Sequence, residues 1–298
     1  MLGIFKNKSA NIDLLKTDIP IDKPSKKIKN KPLIKTFDRL NDLQNQYIID
    51  NYRIIRKIYE KTNKKMLIAE YNNEEVVLKI RNINLLNDDE INVYKKLEKI
   101  KHLNIIQTYD LKILDTYYYS VHPYIDGCNL AIHINKNYNI HDIFKQIVIG
   151  LNHLHSNDII HCDIKLQNIM IDHNNIIKII DFDLSKICTS KKGIIVDKCF
   201  GTQPYIAPEN IDLKIYSKMS DVWSLGVLLY FMLMKKFPFY QNITETHTIT
   251  NIICKRNIYK HIDFDNCNHD ENLINICKRM LRFKDYKRIT LDKILKKI

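Results

Sequence analysis

The stretch Ile160-His161-Cys162-Asp163-Ile164-Lys165-Leu166-Gln167-Asn168 limits what this chain can fold into more than any other. It puts a carboxylate, an ammonium and a carboxamide (Asp163, Lys165, Asn168) within six residues, beside the apolar run Ile169-Met170-Ile171. A second strand-like run, Lys178-Ile179-Ile180, delivers another acid, Asp181, 18 residues after the first, with Phe182 behind it. A short polar segment flanked by apolar runs reads as a loop between buried strands. One such loop could be chance. The second acid in this order, followed later by Ala207-Pro208-Glu209, argues that the loop carries chemistry.

The loop and the strand after it resemble the H-R-D-x-K-x-x-N and D-F-G motifs of protein kinases at matching spacing. Phosphoryl transfer needs this kit: one Asp to accept the hydroxyl proton, and an Asn and a second Asp to hold metal. The segment from Phe200 to Glu209 resembles the G-T-x-x-Y-x-A-P-E of Ser/Thr kinases and argues against small-molecule kinases. Lys165 favours Ser/Thr over Tyr specificity, where Arg is usual. The resemblance covers about residues 48 to 298. It implies an α+β, two-lobed protein-kinase-like fold, with a small antiparallel-sheet lobe at about 47–122 and a mainly helical lobe at about 127–298. Residues 1–46 read as a basic tail, interrupted at Pro20, Pro24 and Pro32.

Three apolar-rich runs, Tyr52–Tyr59, Lys65–Tyr71 and Glu75–Ile80, predict an antiparallel meander. The third holds Val77-Leu78-Lys79-Ile80, which resembles the family's V-A-I-K and makes Lys79 the candidate for the α- and β-phosphates of ATP. The phosphate-covering loop should then lie between the first two runs. Its glycine positions hold Tyr59, Lys61 and Lys64, within Ile58-Tyr59-Glu60-Lys61-Thr62-Asn63-Lys64-Lys65-Met66. Side chains there hinder backbone approach to phosphate; Lys61, Lys64 or Lys65 would have to act as point charges instead. Asp88 to Leu97 reads as a helix, with acids in its first turn and Ile91, Tyr94 and Leu97 on one face. Glu90 is its candidate partner for Lys79. By position in the pattern Ile58, Met66, Val77 and Met170 would line the adenine pocket. Tyr117–Val121 reads as a further strand, and His122 to Gly127 as a turn.

In the larger part, Ile143, Phe144, Ile147, Val148, Leu151 and Leu154 form a helical stripe leading into the loop. The apolar run from Asp221 to Met234 should be a buried helix, and the resemblance implies that its Asp holds the catalytic-loop backbone. The segment from Met280 to Thr290 resembles the last kinase subdomain, which implies that Arg288 pairs with Glu209. In this scheme Asp163 is the base, Lys165 stabilises charge on the γ-phosphoryl, and Asn168 and Asp181 bind Mg²⁺. ATP and Mg²⁺ are the cofactors and a protein the substrate.

Two departures from the family keep a second class open, a pseudokinase used as a binding scaffold: the missing loop glycines, and Asp183 where D-F-G has Gly. Asp tolerates left-handed backbone better than most residues but less well than Gly. Cys162 stands where H-R-D has its Arg. The net charge of +13 comes from dispersed lysines, as an AT-rich codon bias would give, so nucleic-acid binding is not the expectation. Seven cysteines without a C-x-x-C pair support neither a disulfide framework nor a zinc site and fit a reducing, cytoplasmic setting. No segment is long and apolar enough for a membrane span.

Overall fold

The structure, a computed structural model, describes residues 48–134, 138–239, 262–265, 267 and 269–298. The expected tail at 1–46 lies outside the described residues, as does Cys254. The described chain falls into two compact units: residues 48–101 with 106–126, and residues 102–105 with 127–298.

The smaller unit is built on an antiparallel sheet. Its strands are β1 (Ile48–Ile49), β2 (Tyr52–Lys61), β3 (Lys64–Tyr71), β4 (Glu74–Asn82), β5 (Asp110–Ile113) and β6 (Tyr117–Pro123), in the order β1-β2-β3-β4-β6-β5. The β3–β4 hairpin turns on Asn72 and Asn73, both left-handed (φ 51° and 65°), which matches the strand twist as a type I′ turn does. Strand alternation gives the sheet two faces. On one, Leu67, Ala69, Leu78, Ile80, Tyr119 and Val121 pack as a fully buried core. The other carries Met66, Val77, Lys79, Arg81, Tyr118 and Ser120, by the registers Met66↔Lys79↔Ser120 and Arg81↔Tyr118.

Helix α1 (Asp88–Leu97) has the bounds expected from sequence. The Asn87 side chain caps it by accepting from the Glu90 amide at 2.9 Å, and Asp88, Asp89 and Glu90 meet the positive end of its dipole. Its buried face is Glu90, Val93, Tyr94 and Leu97; Val93 takes the place expected for Ile91, because burying Glu90 rotates the stripe. A second difference lies after Tyr117. His122 and Pro123 continue β6 rather than turning, since β4 goes on pairing there (Val77↔His122, Val76↔Pro123).

In the larger unit β7 (Gly127–Asn129), β9 (Ile169–Asp172) and β10 (Ile177–Ile179) form a small sheet in the order β10-β9-β7. Short strand β8 (Ile159–Ile160) precedes the catalytic loop and pairs with β11 (Lys186–Ile187). Strand β12 (Ile194–Ile195) pairs with β13 (Ile215–Tyr216). The helices are α2 (Leu130–His133), α3 (Ile140–Ser156), α4 (Pro208–Asp212), α5 (Lys218–Met234), α6 (Glu271–Met280) and α7 (Leu291–Leu295). The stripe expected on α3 is the buried one. Helix α5 is buried on nearly all sides and opens with a capping box between Ser217 and Ser220. A Cβ at Gly226 would meet the Met280 Cβ at 2.9 Å, so glycine is what lets α5 and α6 approach. Among the described residues no helix is long and apolar enough to cross a membrane.

Candidate active site

The catalytic loop rests on one buried carboxylate. Asp221, in the first turn of α5 and 1% exposed, accepts from the amides of His161 and Cys162, each at 2.8 Å, one to each oxygen. His155 Nε2, from α3, reaches the same carboxylate at 2.8 Å. The expected tie between Asp221 and the loop backbone is therefore present. Cys162 is left-handed (φ 64°), and this bend carries the chain from β8 toward Asp163. His161, fully buried, joins the loop to the next strand. Its Nε2 donates to the Ile180 carbonyl at 3.0 Å and its Nδ1 accepts from the Asp163 amide at 3.3 Å, which requires the neutral Nε2–H tautomer. Its ring packs against Phe182, centroids 5.2 Å apart.

Asp163, Lys165 and Asn168 come together. Lys165 Nζ donates to Asp163 Oδ2 at 2.6 Å, and Asn168 Nδ2 donates to the same oxygen at 3.1 Å and to the Asp163 carbonyl at 2.9 Å. Thr202 completes the set: its hydroxyl donates to Asp163 Oδ1 at 2.7 Å and accepts from Lys165 Nζ at 2.9 Å. Thr202 was not among the sequence candidates. The signal for it was the G-T-x-x-Y pattern, but its partner lies 39 residues away and cannot be read from spacing.

The Ile180 amide donates to the Asn168 carbonyl at 2.9 Å, which brings Asp181 beside the loop. Asp181 itself is left-handed (φ 66°). The sequence reading placed that conformation at Asp183, the glycine position of the motif; Asp183 has ordinary negative φ, so its substitution carries no such cost. The donor set of Asp181 and Asn168 fits Mg²⁺, which is commonly held by one or two oxygen-bearing side chains while water and phosphate fill the other positions. Among the described residues no cluster of three or more His, Cys, Asp or Glu offers a complete protein cage for an ion.

In the smaller unit Lys79 is 5% exposed and Glu90 2% exposed. The Glu90 carboxylate accepts from Arg81 Nη1 at 2.8 Å and from the Tyr118 hydroxyl at 3.0 Å. These two partners escaped the sequence reading, which considered only Lys79. Val77, Met66 and Lys79 share a face, as do Tyr59 (paired with Met66), Lys61 and Lys64. Glu60 and Lys65 do not. They pair with each other on the opposite face, Lys65 1% exposed with its ammonium 3.3 Å from Glu60. Their side chains thus lie on the face away from Lys79. Hydrogen bonding to Lys57 holds the Glu60 carboxyl below its usual range. Ile58 lies in a register irregularity between Lys57 and Tyr59, and Thr62-Asn63 forms the exposed turn, with neither residue left-handed. Lys61 Nζ sits 5.9 Å from the Tyr59 ring centroid. Met170, half-buried, lies in the larger unit on β9, opposite Lys178 and Asn129.

Glu209 and Arg288 form the expected ion pair. Arg288 Nη2 and Nη1 reach the two Glu209 oxygens at 2.6 and 2.7 Å, a bidentate geometry with the arginine side chain fully buried. Arg288 also donates to the carbonyls of Met219, Arg282 and Phe283.

A small antiparallel sheet with one helix, and a mainly helical larger unit, are the parts of a protein-kinase-like, two-lobed fold. Residues 54–298 match the protein kinase domain family, and the chain belongs to it. It is 32% identical to the serine/threonine-protein kinase PrkC of Bacillus subtilis over 64% of this chain and 32% of that protein. It is 34% identical to the serine/threonine-protein kinase PSK2 of Saccharomyces cerevisiae over 69% of this chain and 18% of that one. It is 30% identical to mouse serine/threonine-protein kinase Nek3, over 65% and 40%. The chain thus spans less than half the length of these relatives.

Proposed function

We propose that the chain is an active kinase that transfers the γ-phosphoryl of ATP to Ser or Thr hydroxyls of a protein substrate. The observation that carries this is the Asp163 carboxylate, held at once by Lys165, Asn168 and Thr202. A base gripped on both oxygens has a fixed position, and positioning with electrostatics is most of what phosphoryl transfer asks of a protein. Asp163 orients the substrate hydroxyl and accepts its proton. Lys165 carries positive charge to the place where the transferring group gains negative charge. Asn168 and Asp181 would hold Mg²⁺, which would neutralise charge on the phosphates of ATP. Lys79 and Glu90 serve the upstream phosphates, Val77, Met66, Ile58 and Met170 the adenine, and Lys61 and Lys64 the place of the lost loop glycines. Seven cysteines with no C-x-x-C pair support a reducing, cytoplasmic setting.

A second reading, a scaffold that binds without transferring phosphate, is favoured by the glycine-free β2–β3 hairpin. Purified protein with labelled ATP, Mg²⁺ and a generic basic-protein substrate separates the two. Transfer that disappears in Asp163→Asn supports the enzyme; no transfer by the wild type supports the scaffold.

A further inference from the structure

The activation segment, Asp181 to Glu209, reaches Asp163 through Thr202, and something must hold Thr202 there. The usual position for a basic anchor in the catalytic loop is Cys162, which carries no charge. The structure shows another anchor. The Tyr216 hydroxyl accepts from the Phe200 amide at 2.7 Å and donates to the Phe200 carbonyl at 2.6 Å, gripping both ends of one residue. The two rings stack, centroids 4.2 Å apart and 14° from parallel. Tyr216 is 1% exposed and belongs to an apolar cluster with Ile160 and Cys188, against which Cys162, Ile194 and Phe200 pack. Burial pushes its ionisation well above the usual range, so the hydroxyl stays protonated and can donate. Gly201 follows in left-handed backbone (φ 107°), where a Cβ would come within 3.2 Å of the Cys162 carbonyl. Thr202 is next, bonded to Asp163 and Lys165.

We propose that Tyr216 is a positioning residue for the catalytic carboxylate, acting through the Phe200 peptide and the Thr202 side chain, in place of a charged anchor. The proposal rests on Asp163 as the base. It adds one hydroxyl and one aromatic stack, both outside the catalytic loop, to the ties that hold the segment elsewhere, such as the Ser224 hydroxyl on the Tyr205 carbonyl at 2.7 Å.

Tyr216→Phe keeps the ring and removes only the hydroxyl. It should lower kcat about tenfold, near the worth of one buried hydrogen bond, and leave the KM for ATP unchanged. Because Tyr216 acts through Thr202, adding Thr202→Ala to Tyr216→Phe should cost no more than Thr202→Ala alone. Additive losses, or an unchanged kcat in an active enzyme, overturn the proposal. Hydrogen exchange gives a readout independent of catalysis: the Phe200 amide should exchange faster in Tyr216→Phe while the α3 amides do not change. Unchanged exchange at Phe200 overturns the clamp. An inactive wild type in which Tyr216→Phe speeds Phe200 exchange leaves the clamp standing and removes the kinase reading instead.

Discussion

Asp163 and Asp181 could be picked out from sequence because charge interrupts apolar runs there, and two such interruptions at fixed spacing are rare. What surrounds them could not. Thr202 meets Asp163 across 39 residues, and Arg81 meets Glu90 across a sheet-to-helix contact that no local pattern encodes. The left-handed residue proved to be Asp181 rather than Asp183, because φ depends on how the Ile180 and His161 hydrogen bonds steer the chain. Asp163→Asn and Asp181→Asn should each slow phosphoryl transfer on the order of 100-fold or more with little change in folding. Retained rates in both, measured against an active wild type, would refute these assignments. A second residue-scale expectation concerns His102. Burial, then His153 and Lys178, hold its pKa below the ordinary 6.5, and its Nδ1 already accepts from the Asn104 amide at 3.1 Å. The fold therefore prefers the neutral ring, whereas the unfolded chain takes up the proton as pH falls through its ordinary value. Stability from this residue is present above that value and is lost as pH drops below it. Melting curves at about pH 7.5 and about pH 5.5 should differ less in His102→Gln than in the wild type; an equal difference contradicts the assignment.

Helix α1 was legible to its end residues, since an Asn cap, three acids and a 3.6-residue stripe agree. The β2–β3 hairpin was legible as two strands but not in its facing. Alternation from the Met66↔Lys79 pair puts Lys65, and Glu60 opposite it, on the face away from Lys79, whereas the irregularity between Lys57 and Tyr59 shifts the count for the residues before it. The element makes its own prediction. On the proposed reading, side chains at 61 and 64 would keep amides off phosphate and lose rotamer freedom when fixed. Lys61→Gly with Lys64→Gly should tighten Mg·ATP binding several-fold by titration calorimetry. Weaker binding would mean that these lysines had taken over the contact, and would sink the lost-glycine account. The ion pair joining the start of α4 to Arg288 makes another. Arg288→Ala strands a carboxylate 9% exposed, at a cost of roughly 3–5 kcal/mol. The melting temperature should fall by about 10 °C; an unchanged curve would show that water relieves Glu209.

For the molecule as a whole, two lobes were implied by the resemblance to protein kinases that the motifs from Asp163 to Glu209 carry. How the activation segment is fastened was not announced. Cys162 signals only that a charge is missing; that Tyr216 and Phe200 occupy the vicinity follows from the pairing of β12 with β13. With no arginine there to receive a phosphate, activity should not depend on phosphorylation of the exposed Thr189 or Ser190. The doubly substituted Thr189→Ala, Ser190→Ala protein should match the wild-type rate, and its inactivity beside an active, phosphorylated wild type would contradict this. The Glu209–Arg288 pair also sets a schedule. The partners are 79 residues apart, and a ribosome adding roughly 5–20 residues per second makes the first several seconds before the second. Through that interval Glu209 has no arginine, and α5, whose first turn lies under the pair, has only part of its surroundings. The larger unit is thus committed to finish folding late in its synthesis, and a nascent chain halted before Arg288 should remain open to proteases that the finished chain resists.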